Sequence, residues 1–181
     1  MVQASYCPNN GLIKYLKLSV SDRVIVLKLI IGQAVFSFFS IYAPQSGLSE
    51  TVKELFYDNL QTAVSKIPVS ESLIIVGDWN GHVGKLASDY PNVHGGYGYG
   101  SCNPDGERIL EFAVANELIV GNTLFKKRDS HLVTYCSRSH KTQIDYTLFR
   151  KNFCKAIINV KVIPSEECVQ QQKNGCVQLK G

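Results

Sequence analysis

The segment from Val24 to Ala43, VIVLKLIIGQAVFSFFSIYA, restricts the fold more than any other feature of the chain. It is apolar over about the length that crosses a bilayer. Lys28 interrupts it, and Gly32-Gln33 divides it into two runs of strand length. Both runs are rich in Val, Ile and Phe, which suit a pleated, buried surface. The pattern predicts two adjacent core strands, about Arg23 to Ile31 and Ala34 to Tyr42, with a single membrane segment as the alternative. Pro44 has no amide to give to a ladder and stops the second strand.

Beyond Pro44 the chain reads as alternating helix and strand. Ser49 suits an N-cap, and Glu50 and Glu54 suit the positive end of a helix. Val52, Leu55, Phe56, Leu60, Ala63, Val64 and Ile67 recur at helical spacing, so a helix is predicted from Glu50 to Lys66, ended by Pro68. Leu73 to Val76 is wholly apolar and bounded by turn residues, as a strand covered on both faces would be. A long loop rich in Gly, Tyr, Asn and Pro runs to about Pro104, and loops of that length inside a domain are often functional. Asp105-Gly106-Glu107 opens a second helix with Ile109, Leu110, Phe112 and Ala113 on its apolar face. Leu118 to Val120 begins another strand, and Leu132 to Cys136, Gln143 to Phe149 and Ala156 to Ile163 give three more. The mixed pattern predicts an α/β class with a layered sheet core. One domain is expected over 21–163, preceded by a poorly defined segment at 1–20 and followed by an irregular tail at 164–181.

Composition excludes several classes. The chain has 181 residues, 45% hydrophobic and 19% charged, which rules out a disordered or coiled-coil protein. Lys and Arg number 19 against 15 Asp and Glu, a net charge of +4 that permits an anionic partner without requiring one. No CxxC pair joins Cys7, Cys102, Cys136, Cys154, Cys168 and Cys176, and no secretory signal opens the chain. Reduced thiols and an intracellular location, nucleus or cytoplasm, are expected.

Chemistry concentrates at strand ends. In Asp78-Trp79-Asn80 the carboxylate and the amide lie two apart at the exit of a buried strand. Such a pair can hold a water and a phosphate oxygen together, and hard oxygen ligands also suit Mg²⁺. The same triplet followed by Gly also makes a common turn, with the Asx side chains bonding their own backbone. Asp145, set between apolar residues in Gln143-Ile144-Asp145-Tyr146, needs a cation, a His or a metal if it is buried, or else lies on the sheet rim. Tyr42, cut off by Ala43-Pro44, is either a phosphate donor or a half-buried strand aromatic. His82, His94, His131 and His140 lack the spacing of a zinc site. Gly95 to Gly100, GGYGYG, reads as a Tyr-bearing loop that can stack on bases or simply cover the surface. Lys126-Lys127-Arg128 and the Arg138, His140, Lys141 turn are basic clusters that either meet a phosphate backbone or are solvated.

Taken in order, IYAP at Tyr42, GDWN at Asp78 and QIDYTL at Asp145 resemble the endonuclease/exonuclease/phosphatase superfamily, the fold of deoxyribonuclease I and the apurinic/apyrimidinic endonucleases. HGGYGYG, NPDGERILEFA and NTLFKKRDSHLVTY are similar to the endonuclease domains of non-LTR retrotransposons and host relatives such as craniofacial development protein 2-like proteins. The likeness runs from about Ser21 to Cys168. It implies part of a two-sheet α/β sandwich with helices on the outer faces. It implies hydrolysis of a phosphodiester of DNA with Mg²⁺ or Mn²⁺. By resemblance Asp78 orients or deprotonates the attacking water, and Asn80 holds the phosphate or a water, the two being the metal positions. Tyr42 contacts the phosphate and Asp145 supports a catalytic His. Tyr135, Lys126, Lys127 and Arg128 lie along the nucleic acid. No membrane or protein partner is implied.

Departures from the family pattern are also legible. The first strands, with their Asn and a metal-binding Glu, and the last strand are expected to be missing. Gln172 stands where the family carries its His. Impaired activity, an exposed sheet edge and marginal stability are therefore expected. The second reading is a non-catalytic, truncated retroelement relic that binds nucleic acid weakly. A phosphatase acting on small phosphoesters shares the fold.

Overall fold

The apolar segment folds as a hairpin of strands. In the computed structural model, residues 2–5, 13–85, 89–137, 140–163 and 175–179 are described. The first two strands are β1 (Val2–Ser5) and β2 (Ile13–Ser19). Next come β3 (Val24–Ile31) and β4 (Ala34–Tyr42), paired antiparallel around a turn at Gly32, whose φ of +60° suits a residue without Cβ. Among the described residues no helix is long and apolar enough to cross a membrane.

From β4 the chain runs through α1 (Glu50–Ser65) into β5 (Ser72–Asp78), which pairs parallel with β4. Then come α2 (Pro104–Ala115), β6 (Leu118–Val120), the short pair β7 (Tyr135–Ser137) and β8 (His140–Thr142), and β9 (Asp145–Arg150). Strands β10 (Ile157–Val162) and β11 (Gly175–Leu179) close the described chain. Seven strands form one sheet in the order β1-β2-β3-β4-β5-β9-β6, and β10–β11 and β7–β8 form separate pairs.

Alternation along the central strands explains the layers. Phe39 and Ile41 of β4, Leu73 and Ile75 of β5, and Tyr146 and Leu148 of β9 join one buried cluster with Phe56 and Leu60 of α1 and Leu110 and Phe112 of α2. Their sequence neighbours Phe38, Ile74 and Phe149 point the other way, onto Ile157 and Val160 of β10 and Val177 of β11. Both faces of β5 are thus covered, which is why it reads as an unbroken apolar run. The molecule is a layered α/β fold with both helices on one face of the large sheet and a small sheet on the other.

Several expectations are corrected. The segment expected to be poorly defined carries β1 and β2, which pair onto β3, so β3 is not a bare edge. Gly175–Leu179, expected within an irregular tail, is a strand paired with β10. Its five residues are too few to show a period, and the pairing partner is distant in sequence. The strand predicted over Leu132 to Cys136 lies later, as β7, because Leu132 and Val133 come after a short 3₁₀ turn at Asp129–His131. Cys102, Cys136, Cys154 and Cys176 are free thiols. Cys7, Arg138, Cys168 and Gln172 lie outside the described residues.

Helix α1 is rotated relative to its expected face. Val52 and Leu55 are exposed at 39% and 61%, and Lys53 takes a buried place at 7%. The reason is a cation bridge between helices. Lys53 Nζ lies 2.8 Å from Asp105 Oδ1 and 3.3 Å from Glu50 Oε1, and Arg108 also reaches Glu50. Lys53→Ala strips the partly buried Asp105 of its cation, so a loss of about 1 kcal/mol is expected, or about 2–4 °C in Tm. A thermal melt checks it, and an unchanged Tm would show the bridge to be ornamental.

Candidate active site

Three polar residues stand in a row across the sheet. Tyr42 ends β4, Asp78 ends β5 and Asp145 begins β9. Asp78 is in register with Tyr42 on one side and Asp145 on the other. Side chains opposed in neighbouring strands point to the same face, with Cα atoms about 5 Å apart. Each lies four residues from an apolar residue of the β10–β11 face, Phe38, Ile74 or Phe149, so all three occupy that face at its polar end. Alternation within each strand sets the direction, and pairing between strands brings the residues together.

Asp78 is 8% exposed. Its Oδ1 accepts the backbone N–H of Asn80 at 2.9 Å, the turn that the triplet also predicts. Asn80 sits beyond the strand at φ +50°, so the two-apart alternation does not reach it. Its Nδ2 donates to the carbonyl of Ala43 at 2.8 Å, tying the end of β5 to the end of β4. The amide oxygen and the second amide hydrogen take no part in that bond. Trp79 points to the helix side, buried, with its indole N–H donating to Tyr146 O at 3.2 Å.

Asp145 carries the clearest electrostatic signature. Burial pushes its carboxyl up to about 6, the Thr134 hydroxyl favours the anion, and the Asp78 charge opposes it. Its Oδ2 is buried with no hydrogen-bond partner. Among the described residues no histidine hydrogen-bonds this carboxylate: His94 is held by Gly84 O and Gly96 N, and His131 by Val162 O. The ring of His94 accepts from Gly96 at Nδ1, which leaves Nε2–H to donate to Gly84 at 3.0 Å. His94 is therefore a clip within the long loop, and burial holds its pKa down.

Tyr42 is 46% exposed, with the Arg23 guanidinium 5.5 Å from its ring centre. Its hydroxyl accepts from Gln45 Nε2 at 3.4 Å. It is free to meet a ligand in a way a core aromatic is not. Tyr135 begins β7 and is half-buried. Lys126 and Lys127 line a separate cavity of 540 Å³ with Lys85, Tyr97 and Tyr99, and Lys127 lies 5.1 Å from the ring centre of Phe125. Arg128 is exposed beside them.

Two supports were not singled out from the sequence. Asn122 is 7% exposed, accepts from Thr147 N at 2.8 Å and donates to Asp145 O at 3.3 Å. The Thr134 hydroxyl accepts from Ile144 N at 2.9 Å and Asp145 N at 3.2 Å. Together they hold the start of the β9 backbone from both sides. Asn122 stands just past an apolar strand as Asn80 does, and that was its only signal.

The carboxylates of Asp78 and Asp145 are opposed in register, and Oδ2 of Asp145 is unpartnered, so they make a donor set suited to a hard divalent cation. No group of three or more His, Cys, Asp or Glu side chains that could hold a metal stands among the described residues. Mg²⁺ usually keeps several waters and needs only one or two carboxylates, so the pair fits it.

A scan against protein families finds no match. In sequence, the chain is 30% identical over 155 residues to craniofacial development protein 2 of Bos taurus, and equally to that of Tragulus javanicus, over 84% of this chain. It spans about a quarter of the length of these relatives, 26% and 27%. In structure, it superposes on the endonuclease domain of TRAS1, a telomere-specific non-LTR retrotransposon, with a TM-score of 0.67 at 12% identity, covering 99% of this chain and 80% of that one. An endonuclease/exonuclease/phosphatase family protein from Leptotrichia buccalis aligns at 0.57 and 16%, covering 92% and 60%. An AP endonuclease from Archaeoglobus fulgidus aligns at 0.63 and 13%, covering 88% and 66%. In fold, this chain is similar to endonuclease/exonuclease/phosphatase-type domains.

Proposed function

We propose that this domain hydrolyses a phosphodiester of DNA with a divalent metal. The observation that carries the reading is the in-register pairing of Asp78 with Asp145 at one end of the sheet, with Asp145 Oδ2 buried and without a partner. Asp78 accepts the proton of an attacking water or orients it. Asn80 offers its remaining amide hydrogen to a phosphate oxygen, and Tyr42, exposed at the rim, donates its hydroxyl to another. Asp78 and Asp145, with Asn80 beside them, would hold Mg²⁺ or Mn²⁺, which when bound stabilises negative charge on the phosphoryl group. Tyr135, Lys126, Lys127 and Arg128 are assigned as contacts for the nucleic-acid strand away from the scissile phosphate.

Nicking of supercoiled plasmid in Mg²⁺ tests the reading. Wild type is expected to convert plasmid to the open circle, and Asp78→Ala to fall to the level seen in EDTA. Equal background in all three would leave the second reading, a relic that binds without cutting. That reading predicts salt-sensitive binding with no product.

A further inference from the structure

Gln143 is 2% exposed, yet both ends of its amide, Nε2 and Oε1, lack a hydrogen-bond partner. A buried polar group without a partner is destabilising, and here two sit on one side chain. The residue lines a cavity of 180 Å³ with His82, Tyr99, Ser101, Lys141 and Thr142. Its own carbonyl is fixed by the Tyr146 hydroxyl at 2.7 Å, so the backbone that presents the amide is held. Two residues span at most about 7 Å, which puts this cavity beside Asp145.

An amide that needs both a donor and an acceptor selects its ligand. A phosphate offers acceptors alone and leaves Oε1 unpaired. A nucleobase edge carries a donor beside an acceptor and satisfies both atoms at once. Tyr99 brings a half-buried ring for stacking. Lys141 is exposed at the rim, where the backbone of a bound strand would pass.

We propose that this cavity seats one unstacked nucleobase of the bound strand and that Gln143 reads its edge. The inference rests on the nucleic-acid reading above and adds a residue that sets base preference.

Fluorescence polarisation of the full chain in EDTA tests it, with single-stranded hexamers of each of the four deoxynucleotides and one of abasic nucleotides. Wild type is expected to bind one base hexamer about 5- to 150-fold more tightly than the weakest, with the abasic hexamer at or near the bottom. Gln143→Leu should bring all hexamers to the abasic level and melt no lower than wild type, because it removes two unpaired atoms. Gln143→Glu, which replaces the donor by an acceptor, should change which hexamer ranks first. Equal affinities in wild type, an unchanged ranking in Gln143→Leu, or a lower melt or misfolding of that variant would overturn the proposal, the last by showing a structural amide. Binding in EDTA needs no catalysis. A kept ranking without nicking therefore sinks only the hydrolase reading, and nicking with a flat ranking sinks only this one.

Discussion

Gly77→Ala is expected to destabilise the chain by about 4 kcal/mol, a large part of the roughly 5–15 kcal/mol that holds an ordinary domain folded. Gly77 lies in β5 at φ +145°, a region that side-chain-bearing residues rarely enter. A Cβ there would meet Ile41 O at 2.0 Å and Ile41 C at 2.9 Å. Those atoms are backbone of β4, the parallel partner, and cannot swing aside as a side-chain tip would. Relief requires the two strands to part where Tyr42 and Asp78 come into register. Urea unfolding monitored by circular dichroism measures the effect. A variant with a midpoint like that of wild type would mean the strand exit is not held as described.

Asp145→Asn is expected to have opposite effects on stability and on activity. In an unfolded chain the carboxyl has its ordinary pKa of 3.8, and in the fold burial and the Asp78 charge raise it to about 6. Between those values the folded chain binds more protons than the unfolded one. Stability therefore falls as pH rises through this window, and the full penalty stands above it. Discounted for partial exposure, the penalty is about 2 kcal/mol. At pH 8 the neutral amide escapes it, so Tm should rise by about 4–8 °C, whereas at pH 3 the two proteins should melt alike. Nicking should fall by a factor of about 10² or more, because the charge facing Asp78 is gone. Added Mg²⁺ should raise the Tm of wild type at pH 8 and leave Asp145→Asn unmoved. A variant that melts lower at pH 8 would mean that Asp145 is paired in the native state.

The same physics explains which elements were legible. The hairpin β3–β4, the strand β5 and the spans of both helices derive from hydrophobic period and from Gly and Pro, signals carried by neighbours in sequence. The face of α1 did not, because the Lys53 position is decided by Asp105 on another helix. Asp78, Asp145 and Tyr42 were legible as strand-end polar residues, and Asn80 was legible with a different role beside it. Asn122, Thr134 and Gln143 were not, since each matters through a partner or an empty space more than nine residues away or on another element.

The amino-acid order alone determined an α/β chain with polar residues at the ends of apolar strands, because burial periods of two and 3.6 are local properties. It left open whether those ends meet. Only the tertiary structure decided that β4, β5 and β9 lie side by side with Tyr42, Asp78 and Asp145 in one register. Strand order and register are set by the summed packing of both sheet faces, and a one-residue slip would turn each carboxylate to the opposite face.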